Sequence, residues 1–335
     1  MHNNIFHVTA WSACILALVV VVLGAYVRLS DAGLGCPDWP GCYGILLGVP
    51  ESSHEIEQAN TNFPQRAVEV HKAWKEVIHR YFAGVLGLLI LLLAILAIKN
   101  RNVSEQPVVL PILLVALVIF QALLGMWTVT LLLKPVIVML HLLGGLTILA
   151  LLWWLVLKYR LPRESSISPI NCSFNSLILF GLLLLVAQII LGGWTSSNYA
   201  ALACPDFPTC QGQWWPETDF KEGFKFWRGL GTNYEFGVLE NPARTAIHLS
   251  HRLLAIVVAV YWLAVLVRIL MRDKTTVVLR SIAVVTLIIL SAQLLLGISN
   301  IIFHLPISVA VMHNGGAALL LLSVISLVFF TREKF

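Results

Sequence analysis

The sequence predicts an all-α integral membrane protein with eight transmembrane helices, arranged as two pseudo-symmetric four-helix bundles. The composition supports this: mean hydropathy is +0.86, 59% of the 335 residues are hydrophobic and only 12% are charged. Long apolar runs recur along the chain, and its polar motifs occur twice. These features exclude a water-soluble globular protein.

The apolar runs are about 20 residues long, enough for a helix to cross ~30 Å of hydrocarbon. The first run is too long and too apolar for a cleaved signal peptide, so we expect a retained helix. Only Lys134-Pro135 separates the third run from the fourth, which predicts a tight helical hairpin. The predicted helices cover 6–28, 77–98, 108–131, 135–157, 174–196, 247–270, 277–300 and 306–331.

The orientation prediction rests on basic residues near the helix ends, which favour the cytoplasmic side. With eight helices they all fall on one side, together with both termini. The long loops 29–76 and 197–246 then lie outside the cytoplasm. The net charge of +5 therefore reflects topology and gives no reason to expect a nucleic-acid partner. The basic residues on which this orientation rests are Lys99, Arg101, Lys158, Arg160, Arg163, Arg268, Arg272, Lys274, Arg280, Arg332 and Lys334.

The repeat divides the chain into two halves, 1–160 and 161–335. The stretch from Glu76 to Arg80 is answered by His248 to Arg252, 172 positions later. Because each half has an even number of helices, the repeat is predicted to be parallel. Among the remaining matching pairs are His141 with His313, Gln121 with Gln293, Gly125 with Gly297, and the cysteine pairs of the two outer loops.

Four cysteines lie in the outer loops, where the compartment is oxidising. In each loop five residues separate the cysteines, and the two prolines among them favour a turn. We predict the disulfides Cys36–Cys42 and Cys204–Cys210.

Four histidines fall inside predicted membrane helices, where such residues are costly and usually functional. His79 and His251 lie near the outer ends of the second and sixth helices, and His141 and His313 about two turns into the fourth and eighth. One imidazole from each of two helices can face the other across a bundle and hold haem iron. Glycines after His141 and His313 leave room for a flat macrocycle. The alternatives are histidines hydrogen-bonded between helices, or a zinc or copper site, which would need more ligands.

The halves differ where Glu76 is replaced by His248. Glu76 lies one turn before His79, so both project from one helix face. A carboxylate there can donate or accept protons, which makes the first half the candidate reacting half, although Glu76 also suits a helix N-terminus. His248 is either a supporting residue or an alternative ligand to His251. Arg80 and Arg252 are candidates for haem propionate contacts or interfacial anchors.

Taken together, these residues resemble the haem A synthase family, over about residues 6–331. The resemblance implies oxidation of the C8 methyl of haem O to a formyl group by successive hydroxylations. It implies a haem B cofactor held by His251 and His313, a substrate haem held by His79 and His141, and a requirement for Glu76.

The same resemblance implies a bacterial cytoplasmic (inner) membrane location among membrane lipid. A haem O synthase and an electron-transfer protein are candidate partners. Two other classes stay open at the level of the residues: a di-haem cytochrome b, and a membrane thiol–disulfide oxidoreductase that would use the loop cysteines.

Overall fold

The computed structural model describes residues 2–103, 106–160, 172–273 and 275–331. Regular structure in these ranges is helical, apart from the isolated bridges Cys42–Ile45 and Cys210–Gln213. Eight of the described helices are long and apolar enough to span a membrane, which confirms the predicted fold class of a multi-pass membrane protein. The helices are α1 His2–Leu29, α2 Ser53–Asn62, α3 Val70–Lys99, α4 Val109–Thr130, α5 Pro135–Arg160, α6 Cys172–Ser197, α7 Phe220–Gly223, α8 Asn241–Met271, α9 Val277–Ile302 and α10 Ile307–Thr331.

Two spanning helices begin earlier than predicted. α3 starts at Val70 instead of 77, and α8 at Asn241 instead of 247. Hydropathy marks the edge of the membrane, but a helix can continue beyond it into water. With 30 residues, α3 is about 45 Å long, more than the ~30 Å hydrocarbon core requires. Pro242 near the start of α8 is typical of a first helical turn.

The outer loops contain two short helices that the hydropathy pattern does not predict. α2 begins at a capping box: Ser52 accepts a hydrogen bond from the Glu55 backbone, and the Glu55 carboxylate accepts one from the Ser52 backbone. α7 is a single turn in which the Asp219 side chain caps the Glu222 amide.

One compact unit comprises Met1–Leu149 together with Lys225–Val238. Within it α1 packs on α3, and α3 packs on α4. α4 and α5 form the predicted hairpin, in which the turn residues Leu132 and Leu133 have positive φ angles of 50° and 58°. A Cβ on Gly145 of α5 would lie 3.8 Å from Val21 of α1, so these helices also approach closely.

The other compact unit comprises Ala150–Phe224 and Leu239–Phe335. In it α6 packs on α8, α8 on α9, α9 on α10, and α10 on α6, which closes a four-helix ring. The turn between α9 and α10 again has two residues with positive φ, His304 at 57° and Leu305 at 62°. Four basic residues used in the orientation prediction, Arg163, Lys274, Arg332 and Lys334, lie outside the described residues.

Candidate functional site

Each outer loop contains a disulfide, which lies next to the helix that carries the first histidine of that half. The structure pairs Cys36 with Cys42 and Cys204 with Cys210, with Cα atoms 4.9 and 4.5 Å apart. An aspartate inside each loop accepts two backbone hydrogen bonds: Asp38 from Tyr43 and Gly44, and Asp206 from Gln211 and Gly212. The two loops are therefore built on the same plan, with most of their polar groups satisfied internally.

Loop electrostatics follow from these contacts. The hydroxyl of Thr209, followed by the backbone amides, holds the pKa of the Asp206 carboxyl below its usual range. Burial raises the pKa of Tyr43 to about 12, and its phenol donates to the Ala67 carbonyl at 3.1 Å. Asp206 is therefore charged and Tyr43 neutral across the physiological pH range.

Glu76 is buried on α3, with 6% of its surface exposed, and both of its carboxylate oxygens are occupied. Oε2 accepts from the Cys36 backbone N–H at 2.9 Å, and Oε1 accepts from Arg80 Nη2 at 2.5 Å. An ionised carboxylate offers about four lone-pair sites, so it keeps capacity for a further donor. The carboxylate thus joins the first disulfide loop to the helix that carries His79.

His248 has the equivalent contact in the second half. It is 4% exposed, and its Nδ1 accepts from the Cys204 backbone N–H at 3.1 Å. The position three residues before His79 or His251 therefore anchors the adjacent disulfide loop, whichever residue occupies it. This contact occupies Nδ1 of His248, and it favours the supporting role that the sequence left open.

Arg80 and Arg252 extend over the same loops. Arg80 donates to the carbonyls of Asp38, Pro40 and Gly41 as well as to Glu76. Arg252 donates to the carbonyls of Asp206 and Thr209 at 2.5 and 2.9 Å, while its buried Nε has no partner within the described chain. Arg252 therefore keeps a free donor, whereas most of those on Arg80 are engaged. The propionate contacts stay a prediction.

The four histidines meet in the predicted pairs, one pair in each compact unit. His79 on α3 and His141 on α5 are close enough to interact electrostatically, as are His251 on α8 and His313 on α10. The Nδ1 atoms of His79, His141 and His313 are buried and have no hydrogen-bond partner among the described residues. These three rings are therefore not committed to hydrogen bonds through Nδ1 with the described part of the chain.

Each of these imidazoles also rests on a glycine of a neighbouring helix. A Cβ on Gly24 or Gly192 would lie 3.1 Å from Cε1 of His79 or His251, respectively. A Cβ on Gly125 or Gly297 would lie 3.2 Å from Cε1 of the other histidine in each pair, His141 or His313. All four contacts are tighter than ordinary Cβ packing, so an alanine would crowd the ring.

The glycines after His141 and His313 also accommodate glutamines of a neighbouring helix, and the room they leave for a macrocycle stays a prediction. Gly144 and Gly316 lie against the amide oxygens of Gln121 and Gln293, so their lack of a side chain accommodates these glutamines. Gln121 donates to the carbonyl of His141 at 2.5 Å, and Gln293 donates to that of His313 at 2.9 Å.

Sequence reasoning missed Gly24, Gly192 and Gln188. Gln188 on α6 lies with its amide nitrogen 3.1 Å from both Nδ1 and the backbone oxygen of His251. A signal was present, since Gly24 and Gly192 are separated by the same 168 positions as Cys36 and Cys204. Glycine is common in membrane helices, so the pattern carries little weight without the structure.

Comparison with known proteins places these features in a family. The COX15-CtaA model, described as cytochrome oxidase assembly protein, matches residues 7–325. The heme A synthase of Shewanella oneidensis is 46% identical over 321 residues, which cover 96% of this chain and 94% of the relative. The heme A synthase of Alkalihalophilus pseudofirmus is 25% identical over 299 residues, covering 88% and 87% of the two chains. That of a Wolbachia from Brugia malayi is 26% identical over 316 residues, covering 90% and 89%.

Proposed function

Because the chain belongs to the COX15-CtaA family of cytochrome oxidase assembly proteins, we propose that it is a haem A synthase. It is then a membrane oxidoreductase that converts the C8 methyl of haem O to the formyl group of haem A. The observation that carries this proposal is the pair of imidazoles that each compact unit brings together against interhelical glycines.

The residues fit haem better than a bare metal ion. Zinc and copper sites usually take three or four protein ligands. Among the described residues, no group of three or more His, Cys, Asp or Glu side chains could hold a metal ion. Two facing imidazoles are a common axial ligand set for haem iron. The close glycine contacts also suit rings held in place for coordination.

The two halves would divide the work. In the first half, 1–160, His79 and His141 would hold the substrate haem O at its iron. In the second half, 161–335, His251 and His313 would hold a resident haem B, which supplies a one-electron carrier when bound. His248 and Arg252 support that site from outside by fixing the second disulfide loop to α8.

Glu76 would handle protons beside the methyl group that reacts. It projects from the same face of α3 as His79, and burial excludes most water from its carboxylate. Arg80 and the Cys36 amide orient the two oxygens, leaving lone pairs for a substrate proton. His248, its counterpart, has no carboxylate, so this chemistry belongs to the first half.

The family match sets aside the two other classes. A di-haem cytochrome b would not require Glu76, and a thiol–disulfide oxidoreductase would leave the four histidines unexplained. The proposal includes a bacterial inner-membrane location, with the disulfide loops outside the cytoplasm. It also includes haem O synthase as the substrate supplier and a separate electron-transfer partner.

The direct test is to express the chain with a haem O synthase in cells that lack haem A. The extracted haems are then separated by chromatography. We expect haem A to accumulate, together with haem B that copurifies with the protein. A Glu76→Gln chain serves as the inactive control. Absence of haem A despite abundant haem O and folded protein would contradict the proposal.

A further inference from the structure

We propose that Gln188 positions His251 as a permanent iron ligand. In the first half Val20 stands in place of Gln188, so that His79, the counterpart of His251, is an exchangeable ligand. Through His79, the first half would take up substrate haem and release product. This inference rests on the proposed function, because it assumes that both imidazole pairs bind haem.

Gln188 and Val20 occupy equivalent places in the two halves. Gln188 lies four residues before Gly192 on α6, and Val20 four residues before Gly24 on α1. Four residues is about one helical turn, so each shares a helix face with its glycine. Both glycines face an imidazole of the neighbouring helix, and a Cβ added to either would lie 3.1 Å from the ring carbon Cε1. The two positions differ in chemistry: one side chain is an amide and the other a hydrocarbon.

The amide of Gln188 is placed to hold the His251 ring. Its Nε2 lies 3.1 Å from His251 Nδ1, and its buried Oε1 has no partner in the described part of the chain. An amide can rotate by 180° to present either its nitrogen or its oxygen. With Oε1 turned towards the ring, Gln188 exchanges the donation from its Nε2 to the His251 carbonyl, at 3.1 Å, for acceptance of the Nδ1–H of a histidine that binds iron through Nε2. Such a partner fixes the ring and raises its basicity as a ligand.

His79 has no such partner. Its Nδ1 is buried, forms no hydrogen bond within the described residues, and Val20 offers no polar atom. The ring is therefore held by packing, including that against Gly24, without a hydrogen bond at Nδ1, so its bond to iron is expected to break more readily. A site that must release its product needs a ligand of this kind, whereas a site for a resident cofactor does not.

The other two histidines do not create this asymmetry. Gln121 and Gln293 donate to the backbone carbonyls of His141 and His313 in the same way. The Nδ1 atoms of both rings lack partners in the described structure. The second pair has one further contact, a long one of 3.5 Å between Gln293 Nε2 and His313 Nε2. The difference in partners at Nδ1 therefore lies between Gln188 and Val20.

The test follows loss of haem from the purified full-length protein. The protein is loaded with haemin and mixed with excess apomyoglobin, and transfer is followed in the Soret band. Wild type should lose haem in a fast phase from the first half and a slow phase from the second. Gln188→Met has similar bulk but no hydrogen-bonding atom. It should speed the slow phase about 10- to 100-fold, the usual effect of losing such a partner, and the reduced haem should gain CO binding.

Two more variants separate positioning from packing. Gln188→Glu keeps acceptor oxygens and should restore the slow phase and the CO resistance. Val20→Gln should slow the fast phase, whereas Val20→Met should leave it unchanged. Wild-type haem transfer and no CO binding in Gln188→Met would overturn the proposal. So would a Gln188→Glu variant that loses haem as fast as Gln188→Met, or a Val20→Gln variant with an unchanged fast phase. Failure of wild type to bind haemin at all would instead refute the proposed function.

Discussion

Positions 76 and 248 hold different side chains that make the same hydrogen bond. Glu76 accepts from the Cys36 amide and His248 from the Cys204 amide. The loop-anchoring role is thus shared, and the carboxylate is an addition specific to the first half. This separation makes it possible to remove the proton chemistry while keeping the anchor.

The natural substitution for that purpose is Glu76→His, which copies the second half. Its Nδ1 should still accept from the Cys36 amide, so the fold and haem content should persist. Loss of the carboxylate should lower haem A formation by about 10²- to 10⁴-fold, the usual contribution of a general acid or base. Chromatography of extracted haems measures the effect. Near-wild-type turnover by this variant would show that Glu76 serves only as an anchor.

The glycines that touch the histidines give a second prediction at this scale. Gly24→Ala and Gly192→Ala place a methyl group 3.1 Å from an imidazole carbon, and the ring must move. Such overpacking costs about 1–3 kcal/mol, which corresponds to about a 5- to 150-fold loss of haem affinity in the affected half. Haem titration of each variant measures it.

Gly84→Ala and Gly87→Ala are the matched controls, because a Cβ at either position has no atom within 4 Å in the described structure. Both should bind haem normally, since alanine favours a helix over glycine. Equal losses in all four variants would show that the contact with the ring is not the cause.

At the scale of elements, the segment Lys225–Val238 is bound to the first compact unit by several specific contacts. Glu235 accepts two hydrogen bonds from Arg66, at 2.5 and 2.9 Å, and this carboxylate raises the pKa of the Arg66 guanidinium. The Tyr234 amide donates to the Leu132 carbonyl at 3.0 Å. Lys134 donates to the Gly229 carbonyl, and its ammonium lies 3.3 Å from the Trp227 ring centroid. The segment is therefore an integral part of this unit.

Glu235→Gln should loosen this segment by removing its bidentate ion pair. The side chains of Arg66 and Glu235 are only 20% and 8% exposed, so we expect a local loss of about 1–3 kcal/mol. Hydrogen exchange of the amides in Lys225–Val238 should become faster. Glu217→Gln, an exposed carboxylate in the same outer loop, is the control. Unchanged exchange in the Glu235 variant would mean that the other contacts suffice to hold the segment.

For the molecule as a whole, local patterns in the sequence predict what depends on composition and spacing. Hydropathy gives the eight spanning helices and the α4–α5 hairpin, and the cysteine spacing gives both disulfides. The structure also places the two membrane histidines of each half in one compact unit, as the bundle argument expects.

The remaining features depend on contacts between distant residues, which no local pattern contains. The early start of α3 and α8 was missed because hydropathy marks the part of a helix that lies in lipid and not the part that continues into water. Gly24 and Gln188 were missed because their importance depends on which ring lies opposite. The attachment of Lys225–Val238 to the first unit requires the Arg66–Glu235 pair, whose members are 169 residues apart.

The central claim is that each half holds an iron porphyrin between two imidazoles. The most direct measurement is the haem content and the low-temperature electron paramagnetic resonance spectrum of the purified protein. We predict a low-spin ferric signal typical of two imidazole ligands, with haem B lost when either His251 or His313 is changed to alanine. A colourless wild-type protein, or alanine variants with unchanged haem and spectrum, would contradict the account.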